Sequence, residues 1–222
     1  GMQYRSHVIY SDDHGATLLL GGSTGDGANE CEVVELADGR LLLNSRNAHP
    51  RVRFRQVSES TDGGLTWHHQ RIDRGLPEPV CQASIHRHSW PASDKPGVIL
   101  FSNPASTAAR WNLTVRASRD EGETWSQARL LNPGASAYSS LAVLPDGTAG
   151  CFFEGGPSYD RLLFARFSLD WLAEPSTAAP PVPSVVLVTS DEILTVGQGE
   201  NAPLAGLAAS GLTLTRFLNA SP

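Results

Sequence analysis

The chain has 222 residues, of which 18% are charged and 40% hydrophobic, and a formal net charge of −6. That is an ordinary globular composition. The acidic balance argues against a nucleic-acid surface, yet leaves room for a local basic pocket that takes an acidic small molecule. No run is long and apolar enough to span a membrane as a helix.

The first signal in chain order is Ser11-Asp12-Asp13-His14-Gly15-Ala16-Thr17-Leu18. Its pattern, Ser-x-Asp-x-Gly-x-Thr followed by Leu or Trp, recurs from Ser60 to Trp67 and from Ser118 to Trp125, with starts 49 and 58 residues apart. In each copy the aspartate can accept hydrogen bonds from the backbone N–H groups that follow. The glycine two positions on supplies a positive φ without steric cost. Thr and Trp then re-enter a strand, and the Trp ring can pack between neighbouring units. These turns are read as structural, away from any substrate.

Between the repeats lie segments that read as strands. Asn29-Glu30-Cys31-Glu32-Val33-Val34-Glu35-Leu36 leads into an Asp38-Gly39 hairpin. Strand alternation puts Glu30 and Glu32 on one face and Glu35 on the other. Arg40-Leu41-Leu42-Leu43-Asn44 reads as a short buried strand and runs on to Ser45-Arg46. Val98-Ile99-Leu100-Phe101 reads the same way and leads through Ser102-Asn103-Pro104 to Arg110-Trp111-Asn112. After the third repeat come Tyr138-Ser139-Ser140-Leu141, an Asp146-Gly147 hairpin, and Phe153-Glu154-Gly155-Gly156.

Residues 1–172 carry these signals, 173–184 read as a Pro/Ala-rich linker, and 185–222 form a tail of unassigned role. Strands are plausible in that tail at Val185–Val188 and Leu212–Thr215. Cys31, Cys81 and Cys151 are odd in number and widely spaced, which predicts buried thiols and neither disulfides nor a zinc site. His49, His68, His69, His86 and His88 show no metal-ligand grouping and are read as surface loops. No metal or cofactor is expected. Gly1-Met2 resembles the scar of tag removal, no secretory leader is recognised, and the compartment is left open.

No long stretch has helical periodicity, so the expected class is all-β. Repeats at this period, with short strands, indicate a β-propeller. At roughly 45 residues per blade, about 170 residues make three to four blades. Such an array is open, and its exposed strand edges would favour self-association.

The three Asp boxes, Asn29-Glu30 with Asn44-Ser45-Arg46, Phe101-Ser102-Asn103-Pro104 with Arg110, Tyr138-Ser139-Ser140-Leu141 and Glu154-Gly155-Gly156 together resemble the exo-α-sialidases (neuraminidases) of bacterial and lysosomal type. The resemblance runs from about Tyr4 to Leu172. It implies a six-bladed propeller, here incomplete, with its site at the central axis and sialylated glycans as partners. Three arginines clamp the sialic acid carboxylate in that family. Arg46 and Arg110 match the second and third. Tyr138 matches the nucleophile and Glu30 its partner. Glu154 matches the acid that holds the first arginine. The family's first arginine, in an Arg-Ile-Pro motif, and its acid/base aspartate have no match here. The resemblance therefore implies a truncated form, with the catalytic domain's N-terminal part missing and activity reduced or lost.

The residue types suit that chemistry. Guanidinium forks match a carboxylate bidentately and stay charged at any useful pH. A carboxylate nucleophile would be repelled by the substrate's own charge, whereas a neutral phenol is not. Its unperturbed pKa of about 10 makes it a poor nucleophile alone, so a neighbouring glutamate must take its proton. Two other readings stand beside this one: a propeller that binds sialosides without cleaving them, and a purely structural Asp-box module.

Overall fold

The computed structural model describes residues 4–49 and 51–174 in full, and the backbone of 184–188 and 193–198. The elements are antiparallel strands grouped as propeller blades. Blade I contributes β1 (His7–Tyr10) and β2 (Leu19–Ser23). Blade II is β3 (Ala28–Glu35), β4 (Leu41–Asn47), β5 (Phe54–Ser60) and β6 (His68–Pro77), paired in sequence order. Blade III is β7 (Ser84–Ser89), β8 (Val98–Pro104), β9 (Trp111–Ser118) and the front of β10 (Gln127–Val143). The back of β10 opens blade IV, followed by β11 (Ala149–Gly155), β12 (Arg161–Phe167), β13 (Ser184–Val188) and β14 (Ile193–Gln198). The fold is an incomplete propeller of the expected size. A five-residue helix α1 (Leu169–Ala173) is capped by Ser168, whose hydroxyl accepts from the Trp171 amide. The plausible strand at 212–215 lies outside the described residues.

All three repeats form the same hydrogen-bonded turn, between β1 and β2 in blade I and between the third and fourth strands of blades II and III. In the second copy the Thr66 amide and hydroxyl donate to the two carboxylate oxygens of Asp62 at 2.9 and 2.5 Å. Ser60 Oγ donates to Asp62 and accepts from the Gly64 amide at 2.9 Å. The equivalent bonds recur around Asp13 and Asp120. Gly15, Gly64 and Gly122 sit at φ 88°, 91° and 87°, a region that a side chain would strain. The third copy also joins blades. Trp125 lies 5.4 Å from the Phe101 ring and donates its indole N–H to Asp73 of blade II. Glu121 accepts from the Ala37 amide of blade II and from Arg87 of blade III.

Two apolar clusters fill the spaces between blades. Val34, Leu36, Leu42, Val57 and Leu76 of blade II meet Ile85, Ile99 and Phe101 of blade III. Val98, Leu100, Leu113 and Val115 of blade III meet Leu141, Phe153, Leu163 and Phe167 of blade IV. Alternation along β8 sends Ile99 and Phe101 one way and Val98 and Leu100 the other, so its unbroken apolar run is buried on both faces.

Two sequence expectations are corrected. Cys81 and Cys151 are buried, but Cys31 is exposed, because it shares the open face of β3 with Val33 and Glu35. Of the five histidines read as surface loops, His68 and His69 lie in β6 and His86 and His88 in β7. Of those five, His49 alone is outside a strand. β6 is the outer strand of its blade, and its exposed positions accept polar side chains.

Thr66 and Ser60 hydrogen bonds hold the Asp62 carboxyl down at about 2, against an ordinary value of 3.8. A depressed folded value means a stabilising contribution that is complete above about pH 4 and lost as pH falls toward 2. Urea midpoints of Asp62→Asn are therefore expected to fall less steeply between pH 4 and 2 than those of the parent. Phe101→Ala, which empties a fully buried ring from the wall between blades II and III, should cost about 3–5 kcal/mol in denaturant unfolding.

Candidate active site

The Asp boxes occupy one end of the blades, at the turns β1–β2, β5–β6 and β9–β10. The candidate site residues all fall at the other end. Glu30 is near the start of β3, Arg46 near the end of β4 and Glu154 near the end of β11. Arg110 immediately precedes β9, and Tyr138 lies where β10 leaves blade III for blade IV. In an antiparallel blade these positions share one rim, although they come from three blades.

The structure brings four of them into one chain of contacts. The Tyr138 hydroxyl donates a short hydrogen bond to Glu30 Oε1. The other oxygen of that carboxylate accepts from Arg46 Nη1 at 2.8 Å. The Arg110 guanidinium stands 5.7 Å from the centre of the Tyr138 ring and donates to the Val80 carbonyl. Glu154 meets this group through the backbone: its Oε2 accepts from the Tyr138 amide at 3.2 Å. All five side chains are half-buried. Glu32 shares the face of Glu30 but is occupied elsewhere, accepting from the Ile85 amide. Arg116 is buried and bonded to Asn103, and its burial brings its pKa down to about 10.

The electrostatics of the pair set where its proton rests. Burial pushes the Glu30 carboxyl up, but hydrogen bonds from Tyr138 and Arg46 and the charges of Arg46 and Arg110 outweigh it and leave Glu30 below its ordinary value. The hydrogen bond to Glu30 raises the Tyr138 phenol, and burial raises it further. At neutral pH the pair is thus carboxylate and phenol, with the proton on tyrosine and the acceptor already aimed at it.

Beneath this group lies an ion pair that the sequence reading missed. Arg55 and Glu78 are fully buried and meet at 2.7 Å. Arg55 also donates to Asn44 Oδ1 at 2.7 Å and to the Cys81 carbonyl at 2.8 Å, and its guanidinium lies 5.9 Å from the Phe101 ring centre. Glu78 Oε1 accepts from the amide of Asn47, the residue after Arg46. The Glu78-Pro79 step just beyond a strand was the available signal, but nothing in its spacing pairs it with Arg55. Among the described residues no three His, Cys, Asp or Glu side chains gather as a metal-binding group.

A propeller of Asp-box blades, with a tyrosine–glutamate pair and two arginines gathered at the opposite rim, defines the sialidase class of propeller. Comparison with known proteins agrees. The model of the BNR repeat-like domain matches residues 1–151. A sialidase of Micromonospora viridifaciens is 40% identical over 226 residues, covering 99% of this chain and 33% of the relative. Sialidase-2 of Rattus norvegicus is 31% identical over 170 residues, covering 71% of this chain and 44% of its own length. Among solved structures, the Hadza microbial sialidase Hz136 superposes with a TM-score of 0.65 at 33% identity, covering 74% of this chain and 32% of that one. The chain belongs to the exo-α-sialidase family, and it spans about a third of the length of the Micromonospora relative.

Removing one partner of a buried ion pair strands the other charge. Glu78→Gln should therefore destabilise the chain by about 3–5 kcal/mol, read as a lower denaturant midpoint at unchanged slope.

Proposed function

We propose that this chain supplies the nucleophile, its base and two carboxylate-binding arginines of a retaining exo-α-sialidase acting on terminal sialic acids of glycoconjugates. The observation that carries the proposal is the Tyr138–Glu30–Arg46 relay, with Arg110 against the tyrosine ring. Arg46 and Arg110 bind the substrate carboxylate as guanidinium forks. The Tyr138 oxygen attacks the anomeric carbon as its proton passes to Glu30 Oε1. The bond to the aglycone oxygen breaks, and a proton donor outside these five residues protonates that oxygen. Water then attacks the tyrosyl glycoside from the face the aglycone left. Sialic acid departs with its configuration retained, and Glu30 returns the proton to tyrosine. A tyrosine nucleophile is an accepted departure from the two-carboxylate scheme of most glycosidases.

The resting state explains why attack is coupled to proton transfer. Because Glu30 holds the Tyr138 phenol above its ordinary value, a free phenolate is not the reactant. The phenol becomes nucleophilic only as Glu30 takes its proton. Substrate charge arriving at Arg46 competes with Glu30 for that guanidinium and makes the carboxylate more basic at the moment of use.

The test is release of sialic acid from a fluorogenic α-sialoside. Tyr138→Phe should remove most of the rate while the fold is retained. The 222-residue chain itself should turn over about 10²–10⁴-fold more slowly than a chain that also carries the family's acid/base aspartate. Sialoside binding without release in both chains would overturn the enzymatic reading in favour of a binding propeller.

A further inference from the structure

The connection from blade II to blade III, residues 78–82, touches three parts of the candidate site. Glu78 holds the amide next to Arg46. Val80 offers its carbonyl to Arg110. Gln82 reaches the tyrosine strand: its Oε1 accepts from the Ser139 amide at 2.9 Å, and its Nε2 donates to the Ser139 carbonyl at 3.0 Å. A single side chain thus closes a two-bond ring on the residue after Tyr138.

That strand needs an outside partner at this point. Pairing of β10 with β9 ends at Ala135, and its ladder with β11 is irregular between Ser136 and Ser139. Tyr138 sits inside the irregularity, where the sheet does not fix its backbone. Three side chains from outside the strand do so instead: Glu154 on the Tyr138 amide, Gln82 on both backbone groups of Ser139, and Ser84 on the Leu141 amide at 3.0 Å. The connection that carries Gln82 is itself held in an unusual shape. Val80 has φ 61°, which a β-branched residue adopts only when its surroundings impose it. The imposing contacts are the buried Arg55, bonded to Glu78 and to the Cys81 carbonyl on either side of Val80.

We infer that Gln82 is a positioning residue for Tyr138, and that the strained 78–82 connection sets Tyr138, Arg110 and Arg46 in register with one another. Gln82 does not touch the reacting atoms. It fixes the backbone on which the phenol stands, so that the hydroxyl meets Glu30. The inference rests on the roles proposed above for Tyr138 and Glu30.

Two variants test it in the 222-residue chain. Gln82→Met keeps the length and loses both bonds to Ser139. Gln82→Glu keeps the acceptor and loses the donor. The phenol titration of Tyr138 is followed by ultraviolet difference absorbance, with Tyr138→Phe identifying its contribution. Sialoside turnover is measured alongside. In Gln82→Met the Tyr138 titration should move down toward the ordinary tyrosine value, with Gln82→Glu falling between it and the parent. Turnover in Gln82→Met should drop on the order of 10²-fold in kcat, with little change in KM. An unchanged Tyr138 titration and kcat in a cooperatively folding Gln82→Met would overturn the inference. If Gln82→Met does not fold, Gln82→Glu decides alone: a titration identical to the parent's would equally overturn it. The two readings fail separately. A Tyr138 titration that moves in Gln82→Met, with full turnover in Tyr138→Phe, keeps the positioning role and sinks the nucleophile. A titration that stays, with turnover abolished in Tyr138→Phe, does the reverse.

Discussion

The candidate site rests on a pair of charges that no water reaches. Burying Arg55 and Glu78 costs several kcal/mol per ion, and their attraction offsets this only if further hydrogen bonds satisfy them. Here the arginine is bonded to Asn44 and the Cys81 carbonyl as well as to Glu78, and the glutamate takes the Asn47 amide. Two well-packed hydrophobic residues could fill the same volume, but they could not hold a backbone carbonyl and a backbone amide at fixed positions. The pair therefore ties the end of β4 to the connection between blades II and III. Those are the two segments from which Arg46 is presented and on which Arg110 leans.

Above this layer the site is built from contacts between blades. Glu30 comes from blade II and Tyr138 from the first strand of blade IV, 108 residues apart in sequence. Their hydrogen bond exists only because the blades pack at a fixed angle, and that angle is set by the two apolar walls on either side of blade III. A methylene lost from either wall would be felt at the rim, since close-packed interiors transmit strain. The Asp boxes do their work at the far end. They close the outer hairpins, and their carboxylates are satisfied by their own turns.

How much of this could be read from the chain varies with the range of the interaction. The Asp boxes were legible because each is closed by groups within seven residues, so the pattern and the structure coincide. The buried run at 98–101 was legible because a strand covered on both faces needs no alternation. The candidate site residues Glu30, Arg46, Arg110, Tyr138 and Glu154 were named from the order of motifs along a resembled family, and alternation placed Glu30 and Glu32 on one face. It could not say which glutamate would reach a tyrosine and which a backbone amide, because that depends on the neighbouring blade. The exposure of Cys31 failed for the same reason: a thiol at an alternating position is buried only if a neighbour covers that face. Gln82 and Arg55 left no trace, since their partners lie 57 residues away for Gln82 and 11, 23 and 26 residues away for Arg55, and include backbone groups that sequence cannot distinguish.

The continuity of β10 has a mechanical meaning. It pairs with β9 along its front and with β11 along its back, so blades III and IV share one uninterrupted seventeen-residue strand where blades II and III are joined by a connecting segment. A hinge opening between III and IV would have to bend that continuous strand backbone, whereas one between II and III would meet side-chain contacts and a short tether. If the rim ever widens, the compliant seam is the one beside Glu30 and Arg46, and the tyrosine travels with the stiff half.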